Sequence, residues 1–366
     1  MRRRQAITRV TVLASAILAS PGLLAQNALS GKRIALLLPP PNGEYRRATS
    51  AIVLGLKNAQ NRDGSGLSMD MFPVDERFDS LANAFQEVTA KGYSFAIGPL
   101  VKSSVTQLAD LPSLAVPTLA LNWPETDHAP SAGSTVFFGL PIESDAVFLA
   151  RVAFEDASAQ SSRRPLRGCI VTNTTPLARR AASAFAETWK EQGAQLIDQI
   201  ETDSKLSGEM RSLVGGIDAD VYFVASTLET ARAVKSSLPK DTLLYGPSML
   251  STGVTASNMN QSAQNRTPEL DGYKVTDLPW LIQTDHPAVM GYPRPATLSH
   301  QELQRLYALG IDAFRIAKEL ISGSNSFDLD GVTGRLKFDR TLDARIQRSP
   351  VLAEYRGGVL VPLDRR

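Results

Sequence analysis

Short, mostly apolar runs recur along this chain, and each is followed by a stretch with helical spacing. Residues 34–38, 69–74, 95–97 and 118–121 are the first four. After the first run, Ala48, Ala51, Ile52, Leu56 and Ala59 share one helical face. Leu81, Ala84, Phe85 and Val88 do the same before the third run. Runs that are apolar on both sides must be covered on both sides. Strands that alternate with helices pair in parallel, because the helix serves as the crossover. The spacing therefore predicts an α/β fold, a parallel sheet with helices on both faces.

The pattern begins again after the polar, proline-bearing residues 123–134. Residues 136–139 read as a crossover strand and 143–157 as a helix with Ala146, Val147, Ala150, Ala153 and Phe154 inward. Further strands are expected at 168–171, 196–200, 221–225, 243–245 and 270–276. Thr175-Pro176 is a helix start, with Leu177, Ala181, Phe185 and Trp189 on its buried face. A length of 366 residues and 43% apolar content suffice for two such blocks. Ser103 and Ser104 are expected to cap a short helix that ends near Asp110. Ser299 to Glu302 reads as a capping box with Leu298 stapled on Leu303. The helix it opens is the clearest in the chain, and Gly323 is its C-terminal cap. Polar residues 324–328 and a turn at 329–334 follow. Then come a strand at 335–338 and one or two strands within 351–363.

The N-terminus, MRRRQAITR, is basic and leads into an apolar stretch, 10–24, that Pro21-Gly22 interrupts. This reads as a signal peptide over residues 1–25, so export to the periplasm is expected. No later run approaches the ~18 apolar residues of a spanning helix. Gln26 stands where a lipoprotein signal would present cysteine, so neither a membrane span nor a lipid anchor is expected after signal removal. The formal charge of +2 includes Arg2, Arg3, Arg4 and Arg9 of that segment, and the remainder is slightly acidic. That balance gives no footprint for nucleic acid. Cys169, the only cysteine, lies in an apolar run and reads as a buried thiol.

Catalytic signatures are missing. His128, His286 and His300 have no metal-ligand spacing, and there is no G-x-S-x-G, Walker A or G-x-G-x-x-G sequence. Asp330 and Asp339 flank turns, where aspartate is common. No enzyme, cofactor or metal is expected. Open α/β sheets bind ligands beyond the carboxyl ends of their strands. Those ends carry Asn42, Gly98, Asn122, Thr172, Asn173, Ser226, Thr227 and Ser248, with Tyr45, Pro99 and Leu100 beside them. Such groups suit a small polar ligand held in a cleft by hydrogen bonds.

Several segments carry a family resemblance: IALLLP (34–39), GPL (98–100), PTLALN (117–122), FFGL (137–140), LDGYKVTDLPWL (270–281), RLYALGIDAFRIA (305–317) and LDGVTGRLKF (329–338). Together they resemble the penicillin-binding protein activator (LppC) family, within the type I periplasmic-binding-protein-like superfamily. The last three segments are the most specific. The resemblance implies two Rossmann-like lobes with parallel sheets and three inter-lobe crossovers, near residues 140, 283 and 337. Lobe 1 would hold 31–139 and 283–336, and lobe 2 would hold 140–282 and 337–366. The helix over 299–322 would pack in lobe 1. The resemblance also implies a non-enzymatic role, regulation of a peptidoglycan synthase (a penicillin-binding protein) in the periplasm. The alternative reading is a solute-binding receptor of an ABC transporter, taking amino acids or similar small polar ligands.

Overall fold

The computed structural model describes residue 29 and residues 31–63, 66–111, 114–125, 134–202, 209–258 and 266–364. The expected signal peptide and Gln26 lie outside the described residues, as does His128.

The first block folds as β1 (Arg33–Leu38), α1 (Arg46–Asp63), β2 (Ser68–Pro73), α2 (Phe78–Ala90), β3 (Phe95–Ile97), α3 (Lys102–Ala109), β4 (Thr118–Ala120) and β5 (Thr135–Phe137). Its sheet has the order β2-β1-β3-β4-β5, and every pair is parallel. Alternation along β1 divides the core. Ile34, Leu36 and Leu38 face one cluster with Ile52 and Leu56 of α1, while Ala35 and Leu37 face another with Leu81 and Val88 of α2.

The second block comprises α4 (Ile142–Gln160), β6 (Arg167–Thr172), α5 (Pro176–Glu191), β7 (Gln195–Glu201), α6 (Met210–Val214), β8 (Val221–Ala225), α7 (Leu228–Ser237), β9 (Leu243–Gly246) and β10 (Tyr273–Asp277). Short helices α8 (Pro279–Ile282) and α9 (Pro287–Met290) lead to the long α10 (Gln301–Ile321). Strands β11 (Ser326–Asp330), β12 (Arg335–Asp339), β13 (Gln347–Ser349), β14 (Val351–Arg356) and β15 (Val359–Pro362) complete the chain. The second sheet has the order β15-β14-β10-β9-β8-β6-β7. Its strands from β10 to β7 are parallel, whereas β14 and β15 add an antiparallel edge.

Strands β11, β12 and β13 form a third, antiparallel sheet, so the chain passes between sheets three times: from β5 through α4 to the second sheet, from β10 through α10 to the third, and from β13 back to β14 of the second. Helix α10 packs on α1 of the first block. Gly55 and Gly310 make this approach possible. A Cβ on Gly55 would overlap the Tyr307 carbonyl oxygen, and one on Gly310 would overlap that of Ile52.

Several local expectations hold, and others need correction. Thr175 caps α5, its hydroxyl accepting from Ala178 N at 3.3 Å, with Pro176 in the first turn. Gly323 adopts φ +91° while its N–H bonds Leu320 O, and Ser324 N bonds Glu319 O, closing α10 in a Schellman motif. Ser299 does not cap α10. His300 holds the cap position, with no side-chain bond to the helix. Likewise α3 starts at Lys102 behind Val101, so Ser103 and Ser104 lie in its first turn. Leu177 is 42% exposed, because it sits at the open start of α5 rather than against the sheet. The fifth strand of the second block begins at Tyr273, since residues 268–270 form a 3-10 turn. The polar stretch after Gly323 is strand β11, which pairs antiparallel with β12 and places Phe327 opposite Phe338.

Candidate functional site

A cavity of about 890 Å³ opens between the two blocks. Lys102 of α3 and the residues following β4 form one wall, and α4 and α5 form the other. Its walls are charged. The Glu143 carboxylate lies 3.2 Å from Arg180 and 3.9 Å from Lys102, so it touches both walls. Trp123 lines the cavity under the Arg345 guanidinium, 5.3 Å from the ring centroid. These pairs are part-exposed, so each is weak and weakened further by salt. A small ligand is normally sealed in by apolar walls with a few aimed polar groups. A wide rim of mixed charge instead suits contact with another polar surface.

The structure does not gather the strand-end residues into this cavity. Asn122 alone of the eleven lines it. Even that amide is engaged: Asn122 Nδ2 donates to Leu100 O at 3.2 Å, and Oδ1 accepts from Trp123 N at 2.9 Å. Gly98 N donates to Leu119 O, and Pro99 O accepts from Leu121 N. Gly98 has φ +114°, and a side chain there would strike Leu37 O. Asn42 is exposed in the loop after β1. Tyr45 donates to Glu76 at 2.9 Å, and that bond raises the phenol above its ordinary pKa.

In the second block, buried Thr172 donates to Asn173 O. Asn173 Oδ1 accepts from both Thr175 N and Thr175 Oγ1. Thr227 caps α7 through Thr230 N. Ser248 offers its carbonyl to Arg305. Ser226 is buried, and its hydroxyl has no partner among the described residues. Small polar residues thus close turns and cap helices here, the ordinary local use of their side chains. The charged residues of the cavity were the ones sequence reasoning passed over. Arg179-Arg180 is a bare pair of cations in sequence, and nothing local shows that α5 turns Arg180 toward Glu143.

Buried ion pairs sit at the passages between the sheets. Arg305 of α10 binds Asp277 at the end of β10 through two bonds, 2.7 and 3.1 Å, and the Asp277 side chain has no exposure. Burial works against the Arg305 charge, but the facing carboxylate outweighs it and the guanidinium pKa is raised. Asp145 of α4 pairs with Arg348 of β13, and both side chains are buried. Each pair joins segments on opposite sides of a passage.

Cys169 sits fully buried on β6, and desolvation pushes its thiol up to about 12. At pH 8 that leaves about one thiolate in ten thousand, so the native protein should not react with a thiol reagent. Labelling is expected only after denaturant exposes the strand. Rapid modification of the folded protein would contradict this burial.

Two helix-wound blocks, three chain passages and a cleft at the junction of the blocks define the type I periplasmic-binding-protein architecture. Comparisons agree. The C-domain of LpoA from Haemophilus influenzae, a regulator of PBP1A, superposes with a TM-score of 0.72 at 20% identity, covering 91% of this chain and 100% of that one. A chain described as "a putative branched-chain amino acid ABC transporter" from Chromobacterium violaceum gives 0.69 at 31% identity, covering 88% and 99%. The family model described as "LppC putative lipoprotein" matches residues 17–215 and 204–358. The chain belongs to the LppC family. The penicillin-binding protein activator LpoA of Enterobacter sp. (strain 638) is 26% identical over 333 residues, 79% of this chain and 44% of that protein. LpoA of Mannheimia succiniciproducens is 24% identical, over 91% of this chain and 55% of that protein. The chain thus spans about half the length of these relatives.

Proposed function

We propose that this protein is a non-enzymatic regulator of peptidoglycan synthesis that acts by contact with a penicillin-binding protein in the periplasm. The observation that carries the reading is the LppC match along nearly the whole described chain, with relatives named activators. The site geometry supports it. Strand-end polar groups are largely spent on the protein's own backbone, while Lys102, Glu143, Arg151 and Arg180 remain at the mouth of an open cavity. Among the described residues no helix is long and apolar enough to cross a membrane.

The test is a reconstituted synthesis assay with the host's own penicillin-binding proteins. The chain is expected to raise the cross-linking rate of one of them, saturating near equimolar ratio, and to bind it in a pull-down. Arg180→Glu should weaken that binding and leave the melting temperature unchanged. Failure to bind or stimulate any host synthase sinks the reading. Likeness to the Chromobacterium violaceum chain is the observation favouring a solute receptor instead. For that role an amino acid at 100 times its Kd should stabilise the fold by about 2.7 kcal/mol in a thermal-shift screen.

A further inference from the structure

Two adjoining cavities lie beside the start of α10. One, about 650 Å³, is bounded by Thr252, Ser257, Trp280, Thr284, Arg294 and Gln301, among others. The other, about 480 Å³, includes Arg46, Arg47, Ser50 and His300. Leu298 and Ser299 line both, and among the described residues neither lining contains a carboxylate.

The larger cavity is lined by Trp280 and Arg294, which stand against each other. Trp280 is 1% exposed and forms the floor under Arg294, with its indole nitrogen buried away from the cavity. Arg294 lies over the same indole, 4.4 Å from its ring, and gives one N–H to the Trp280 carbonyl at 2.6 Å. Arg294 is exposed overall, while desolvation of its packed part lowers its pKa. A guanidinium has five N–H donors, and those not given to the Trp280 carbonyl are open to solvent, where an anion can reach them.

The surrounding backbone adds to this field. The 21-residue α10 begins at Gln301 with no side-chain cap, and the 18-residue α1 begins at Arg46 with no acid in its first turn. Helix starts carry partial positive charge and free N–H groups. Glu302, in the first turn of α10, is exposed and lines neither cavity.

We propose that these cavities form a binding site for a small anionic ligand, a phosphate or carboxylate carried on a hydroxylated body of sugar size. Arg294 would meet the oxyanion, with Arg46 and Arg47 supplying the approaching field. The hydroxyls of Thr252, Ser257 and Thr284 would face the body. This site is separate from the Glu143–Arg180 cavity and does not depend on the regulatory reading.

Calorimetric titration of the full chain with glucose 6-phosphate, glucuronate and glucose tests it. Saturable binding of either anionic sugar, but not of glucose, is expected. A response to one alone identifies the charged group. Arg294→Gln should weaken binding about tenfold, the loss of one charge-assisted contact. The double variant Arg46→Gln/Arg47→Gln changes only exposed side chains and should fold normally. It should also weaken binding, with a smaller salt dependence. No saturation by either anion up to about 10 mM would overturn the proposal. So would equal affinity for glucose, or affinities unchanged in both variants.

Discussion

Arg305→Leu is expected to lower the stability of the folded protein by about 3–5 kcal/mol, because it leaves the Asp277 carboxylate buried and unpaired. Asp277 has no side-chain exposure, and its two oxygens accept two guanidinium bonds. Only the Leu278 N–H would then remain as a charge-stabilising donor among the described contacts. The urea midpoint should fall accordingly, with little change in the slope of the transition. Arg305→Leu combined with Asp277→Asn should recover much of the loss, since the second change removes the stranded charge. If the single variant loses less than about 1 kcal/mol, the pair behaves as a solvated one and the geometry at β10 and α10 is wrong.

Gly310→Val should cost about 3 kcal/mol, at the upper end for forced overpacking. The obstacle is backbone: the Ile52 carbonyl oxygen faces position 310, just as the Tyr307 carbonyl oxygen faces Gly55. A carbonyl within a helix cannot rotate aside, so α1 and α10 would have to separate. Separation would open the cluster that joins Ile52 and Leu56 to Ile311 and Phe314. Gly216→Ala is the control. Nothing lies within 4 Å of its added carbon, and a change within about 0.5 kcal/mol is expected. Equal melting of the two variants would show that the helices are not in contact as described.

The repeated run-and-stripe pattern made the two parallel blocks legible. Ile34, Leu36 and Leu38 against Ala35 and Leu37 is a period-two division that any covered strand would show. The caps at Thr175 and Gly323 were legible because their chemistry is local. Strand β11 was not. It contributes two apolar residues, Phe327 and Leu329, between polar ones, and its reason for being a strand is its partner β12. Ser299 failed as a cap for a related reason: a sequence match to a capping box cannot specify how the chain enters α10 from the crowded junction near Leu298. The candidate site was the least legible part. Asn122, Asn173 and Thr227 look alike in sequence whether they bind a ligand or their own backbone, and three-dimensional placement decides. Conversely, Lys102 and Glu143 become neighbours only after α3 and α4 are set on different sheets.

The three passages between sheets also govern how this chain can be cut or synthesised. The first sheet gains its α10 cover only after residue 301, and the second gains β14 and β15 only after residue 351. A chain emerging from its N-terminus must therefore hold both sheets unfinished, with the β10 edge open to mispairing until the last hairpin arrives. Division after β5 would not release two self-sufficient halves. The N-terminal piece would lack the helix that covers Ile52 and Leu56, and both pieces would expose apolar surface.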